Sequence, residues 1–135
     1  MYDTQSEPNR AQHGAAAYGA AALRTGRPGA RLSLVINAYD RALECIARAA
    51  EADRDNRLDD EFRAAMEAIA LFQGLDSMVD PGRGDIATSL RRTYELLNRA
   101  LHGILRLPDG AAQYDRLHDS ITELRDAWKV CALKV

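Results

Sequence analysis

The sequence predicts an all-α protein, an antiparallel up-and-down four-helix bundle with an additional short N-terminal helix or cap segment. Apolar residues recur at intervals of three and four through four separate stretches, the spacing of one helix face. No stretch alternates apolar and polar residues as a half-buried strand does. Glycine, proline and acidic clusters separate the stretches by short connections, which favours antiparallel neighbours. With 135 residues, 47% of them hydrophobic, the chain fits one domain around one core. We divide it into a flexible N-terminus, residues 1–14, and a single helical-bundle domain, residues 15–135.

Residues 1–14 are polar and lack periodicity. The alanine-rich run Ala15 to Leu23 can form a helix, but its side chains are too small to bind strongly, so it docks conditionally. Gly26, Pro28 and Gly29 are expected to break the backbone before the first long pattern. That pattern places Leu32, Val35, Ile36, Tyr39, Leu43, Ile46 and Ala50 on one stripe and ends near Ala52. The charged stretch Asp53 to Asp60 reads as a connection whose acidic end suits the positive N-terminus of the second helix. Its core stripe is expected to be Leu58, Phe62, Ala65, Ile69 and Phe72, stopping before a Pro81 turn. The third helix starts with Asp85, carries Ile86, Leu90, Tyr94 or Thr93, Leu97, Leu101 and Ile104, and is ended by Pro108, Asp109 and Gly110. In the fourth, Tyr114, Leu117, Ile121, Leu124, Trp128, Cys131 and Val135 form a regular seam, which places Trp128 in the core as an anchor.

The second and third helices carry more apolar residues than one stripe holds. The surplus is Ala64, Ala68, Leu71, Leu75 and Met78 on the second, and Thr93, Leu96, Ala100, Gly103 and Leu107 on the third. A helix apolar on two faces is either central in the bundle or exposes a patch for a partner. The fourth helix has no such second face.

Composition narrows the function classes. Eighteen basic and 20 acidic side chains, net charge −2, leave no electrostatic footprint for nucleic acid or an anionic membrane. No apolar run approaches the roughly 20 residues of a membrane span, and Asp3, Glu7 and Pro8 do not suit a signal peptide, so the expected location is the cytoplasm without membrane insertion. Cys45 and Cys131 lack metal or redox spacing and read as small buried or half-buried thiols. His13, His102 and His118 are scattered, so no metal or other cofactor is expected. The acids Asp53, Asp55, Asp59, Asp60 and Glu61 fall on solvated faces, and the serines lie in no nucleophile motif, which points away from an enzyme.

Several short pieces, taken together and in order, resemble the FliS family of flagellar export chaperones. They are Ala17-Tyr18, Tyr39-Asp40, Ile69, Leu75-Asp76, the glycines Gly82 and Gly84, Asp85-Ile86-Ala87, Leu90, Tyr94 and Ala127-Trp128. The resemblance runs from about Ala17 to Lys129. Two departures stand out: Arg41 occupies the place of a glycine after Tyr-Asp, and Pro28 lies about one helical turn further from Tyr39 than its counterpart.

The resemblance implies a bundle wrapped by the disordered C-terminal segment of flagellin, which folds on its surface, is kept from polymerising and is handed to the export gate of the flagellar type III secretion system. It implies that the segment around Tyr18 covers part of the client surface. On the client side we place Tyr18, Leu71, Leu75, Leu96, Ala100 and Leu107. The alternative from another class is a homodimeric bundle joined through its surplus faces, or a regulator that sequesters another secretion-linked protein.

Overall fold

The computed structural model describes residues 28–133, and the side chains of residues 31–130. The expectations for residues 1–14, for the Ala15 to Leu23 segment with Tyr18, for Gly26, and for the side chains of Cys131 and Val135 lie outside the described residues. Four long helices follow one another: α1 (Pro28–Arg54), α2 (Leu58–Ser77), α3 (Asp85–Leu105) and α4 (Ala111–Leu133), with a 3-10 turn at Pro81–Arg83. No strand occurs among the described residues.

The expected break at Pro28 and Gly29 is instead the first turn of α1, where proline loses no intrahelical bond and its fixed φ already matches the helix. At the other end α1 runs on to Arg54, and α2 begins at Leu58. The connection is therefore three residues, not the whole stretch from Asp53 to Asp60, and Asn56 makes the reversal at φ +58°. Asp59, Asp60 and Glu61 then lie in the first turn of α2, at the positive end of its dipole. Between α2 and α3 the Asp80 carboxylate accepts the Gly82 N–H at 2.9 Å, and the chain turns into α3 through Gly84 at φ +65°.

Side-chain pairs fix the directions. Tyr39 meets Phe72 while Arg48 meets Glu67, so α1 and α2 are antiparallel. Asp40 pairs with Arg125 at 3.0 Å, and Asp53 accepts the Ala111 N–H at 2.9 Å, so α1 and α4 are antiparallel too. Phe72 with Tyr94 and Asp76 with Arg91 do the same for α2 and α3. The backbones approach most closely at α1–α2 and α1–α4, less at α2–α3, and only sparsely at α3–α4. Alanines explain the tight walls: Ala42, Ala49, Ala64 and Ala68 are buried where small side chains let helices close.

The core is built on Tyr39, Ile46, Ile69, Phe72, Leu101, Tyr114 and Ile121. Each large apolar side chain contributes about 1.5–3 kcal/mol on burial. Two buried polar bonds cross the diagonals of the bundle. Tyr39 on α1 and Tyr94 on α3 share a hydroxyl–hydroxyl bond of 3.0 Å, and Tyr114 on α4 donates to Glu61 on α2 at 2.7 Å. Burial pushes all three phenols above their ordinary pKa, so they stay protonated donors.

Several sequence expectations need correction here. Leu58 and Phe62 point outward, and Ala64, Ala68 and Leu75, taken as the surplus face of α2, belong to its core face. The reason is that α2 has neighbours on two sides, α1 and α3, so the bundle selects the face between them. Ile86 at the start of α3 is 70% exposed and not part of the core stripe. Glu61 is 4% exposed, not solvated; α4 lies over it and supplies Tyr114 as its donor. Trp128 is half-buried against the core rather than within it.

Candidate functional site

Because α3 closes on α2 but meets α4 sparsely, a cleft is left along the α3–α4 wall. Its α3 side is Thr93, Leu96, Leu97 and Ala100; its α4 side is Leu117, Ser120, Glu123 and Leu124. The cleft has a volume of about 530 Å3 and a predominantly apolar lining. The local reason lies in α3, a strongly amphipathic helix whose residues 94, 97, 101 and 104 are buried in the core. Positions 93, 96 and 100 fall on the adjoining face, and there Leu96 remains 49% exposed. Leu117 and Leu124 are half-buried and face the same space, while Tyr114 and Ile121 of the same seam are fully buried. The seam of α4 therefore divides, one half of it core and the other half groove floor.

A second, smaller cleft of about 150 Å3 sits at the end of the bundle where α1 begins and α4 finishes. Val35, Leu75, Met78, Ile86, Leu90 and Trp128 line it. It is apolar, and it lies close to where the chain enters α1 from residues 1–27.

The sequence-derived client residues are distributed unevenly over these surfaces. Leu96 and Ala100 are brought together in the α3–α4 groove. Leu75 is buried and reaches only the bundle-end cleft. Leu71 is partly buried against the core on α2, and Leu107 is exposed beyond the end of α3. Tyr18 lies outside the described residues. Sequence reasoning missed Leu117 and Leu124, which it assigned wholly to the core seam; they share the spacing and size of buried Ile121, so the seam itself carried no signal that separated them.

The motif residues prove largely architectural. Tyr39 and Tyr94 form an aromatic trio with Phe72, with ring centroids 6.3 to 6.5 Å apart. Asp40 receives Arg125 and ties α1 to α4. Asp85 occupies the first turn of α3, opposite the helix dipole. Arg41, the departure after Tyr39-Asp40, pairs with Glu67 at 2.9 Å across α1 and α2. Burial pushes the Glu67 carboxyl up, yet Arg41 and Arg48 outweigh it and hold the group below its ordinary pKa.

No group of three or more potential metal ligands occurs among the described residues. Cys45 is buried and free, and burial, with the negative charge of Glu67 beside it, pushes its thiol up to about 11. That is the opposite of an activated nucleophile. No described helix is long and apolar enough to cross a membrane. The groove has the lining to take an apolar helical face. No curated protein matches the chain. A family model for the flagellar protein FliS matches residues 12–134.

Proposed function

Because the chain belongs to the FliS family of flagellar proteins, a chaperone family of flagellum biogenesis, we propose that it is a cytoplasmic export chaperone for flagellin. The C-terminal segment of flagellin folds onto the bundle as amphipathic helix, which blocks premature polymerisation until the export gate receives it. The observation that carries this reading is the α3–α4 groove, with Leu96 exposed on its wall and Leu117 and Leu124 beneath. A helix laid there completes the one loosely closed wall of the bundle, in the manner of an apolar helix face in a groove. Coupled folding of such a segment buries on the order of 1,000–3,000 Å2 while ordering costs roughly 2–5 kcal/mol, so binding is firm and releasable.

The Ala15 to Leu23 segment acts in this proposal as a displaceable cover for client surface. The support for this is the smaller apolar cleft at the end of the bundle where α1 begins. Calorimetric titration with a flagellin C-terminal peptide tests both parts. Leu96→Asp should weaken binding at least about tenfold, or 1.4 kcal/mol, and leave the melting temperature near the parent's because the side chain is half exposed. Deleting residues 1–24 should tighten binding, since an intramolecular competitor lowers apparent affinity by the fraction it occupies. Unchanged affinity in Leu96→Asp refutes the groove assignment. A homodimer formed through the same groove would show in light scattering as a doubled mass that the peptide dissociates.

A further inference from the structure

The opposite edge of α3 carries a different surface. Arg91, Arg92, Arg99 and Arg106 line a concavity of about 890 Å3 between α3 and α2. Two carboxylates share it, Asp76 and Glu95, paired with Arg91 at 3.4 Å and Arg99 at 3.1 Å. Arg92 and Arg106 make no ion pair with any described residue. Positive charge is thus in local surplus in a chain whose net charge is −2, so composition alone conceals it.

Arg91 and Arg106 are 15 residues apart on one helix, a span of about 22 Å. The wall across the concavity contributes Gln73 and Asp76 from α2, and residues 62, 66, 73 and 76 share one face of that helix by register. On that face Phe62 is 56% and Met66 36% exposed. A row of guanidinium groups on α3, with an exposed Phe–Met pair on the α2 face that carries Gln73 and Asp76 by register, is complementary to a ligand with carboxylates along one edge and apolar side chains along the next.

We propose that the α2–α3 face is a second docking surface, whose occupant is an acidic amphipathic helix of about four turns from a partner protein. Its carboxylates lie along Arg92 and Arg106, the cations with no competing partner among the described residues, and its apolar edge lies on Phe62 and Met66. Guanidinium suits this use because its planar fork takes a carboxylate in two parallel bonds and is only weakly hydrated. The surface lies on the other flank of α3 from the α3–α4 groove, so one chaperone can hold two segments at once.

The test uses the full chain and a fluorescently labelled synthetic 16-residue helix, with Glu at every third and fourth position and Leu along the adjoining edge. Companion probes are its Glu→Gln counterpart and a single-stranded RNA of equal charge. Anisotropy at low and physiological salt should show the acidic helix binding at least tenfold tighter than the Gln helix, and weakening as salt rises. Arg92→Glu with Arg106→Glu should lose at least tenfold in affinity with an unchanged melting curve, both side chains being exposed and without an ion pair among the described residues. Phe62→Ser should lose affinity without changing the salt dependence. The proposal is overturned if the acidic and Gln helices bind alike, if the double Arg variant binds as the parent does, or if no probe binds. RNA bound as tightly as the acidic helix overturns it in favour of a nucleic-acid surface.

Discussion

Replacing Tyr114 by Phe isolates the bond that joins α2 to α4 across the core. The hydroxyl donates to Glu61 at 2.7 Å, the length of a charge-assisted bond, and Glu61 is 4% exposed, so water has little room to substitute. Hydrogen bonds to charged groups contribute about 1.5–3 kcal/mol, and the enclosed carboxylate places this one toward the upper end. For a chain of 135 residues, at about 3–5 °C per kcal/mol, that loss lowers the melting temperature by roughly 8–15 °C. The cost depends on pH in a defined direction. Burial raises the Glu61 pKa above its ordinary 4.5, the Tyr114 bond opposes that rise, and Asp53 adds to it. A raised folded-state value means that protonation favours the fold: this stabilisation is complete below about 4.5 and is lost as pH climbs through the raised value. Removing the donor raises the folded value further, so the deficit of Tyr114→Phe should be greatest at neutral pH and narrow on acidification toward pH 5. Glu61→Gln keeps an acceptor for Tyr114 and removes a buried charge beside Asp53; it should melt at or above the parent at pH 7. Paired thermal melts at the two pH values decide the matter. A Tyr114→Phe protein that melts with the parent at neutral pH, or a deficit that does not narrow in acid, refutes the account of Glu61 as a buried carboxylate held by one phenol.

Tyr94→Phe should cost about 1–3 kcal/mol, and Tyr39→Phe with Tyr94→Phe less than the two single costs together, because the pair removes donor and acceptor at once; urea melts of the four proteins give the cycle. Gly84→Ala should cost about 1–3 kcal/mol through backbone strain alone, since φ is +65° and nothing lies within 4 Å of an added methyl, whereas Gly110→Ala should destabilise by collision, its new carbon falling 2.7 Å from Ile104 Cγ2; thermal melts of each variant check this. Trp128→Ala should lose roughly 2 kcal/mol, below the 3–5 kcal/mol of a fully enclosed tryptophan, as chemical denaturation will measure. A thiol at about 11 against an ordinary 9.0 holds about 100-fold less thiolate, so Cys45 in the folded protein should react with iodoacetamide at least that much more slowly at pH 8 than in urea, read by peptide mass analysis.

The sequence by itself determined the four helices, because the three-and-four spacing of apolar residues is a local property that every packing must respect. It also determined the turn at Gly84, where φ is +65°, and the acidic first turn of α3, both set by single residues and their neighbours in the chain. Leu96 and Ala100 were legible as surplus on α3 for the same reason. How far the core extends around α2 was not legible: Ala65, Ile69 and Phe72 of the expected stripe are buried together with Ala64, Ala68 and Leu75 of the surplus face, while Leu58 and Phe62 are exposed, and only the positions of α1 and α3 decide this. Glu61 looked like one acid among several in a charged stretch; its burial exists only because Tyr114, 53 residues later, lies over it. The division of the α4 seam into Tyr114 and Ile121 for the core and Leu117 and Leu124 for the groove follows from the sparse α3–α4 contact. The basic row on α3 was visible residue by residue, but its opposition to the exposed face of α2 was not. Periodicity states which residues share a face, and tertiary packing alone states what that face meets.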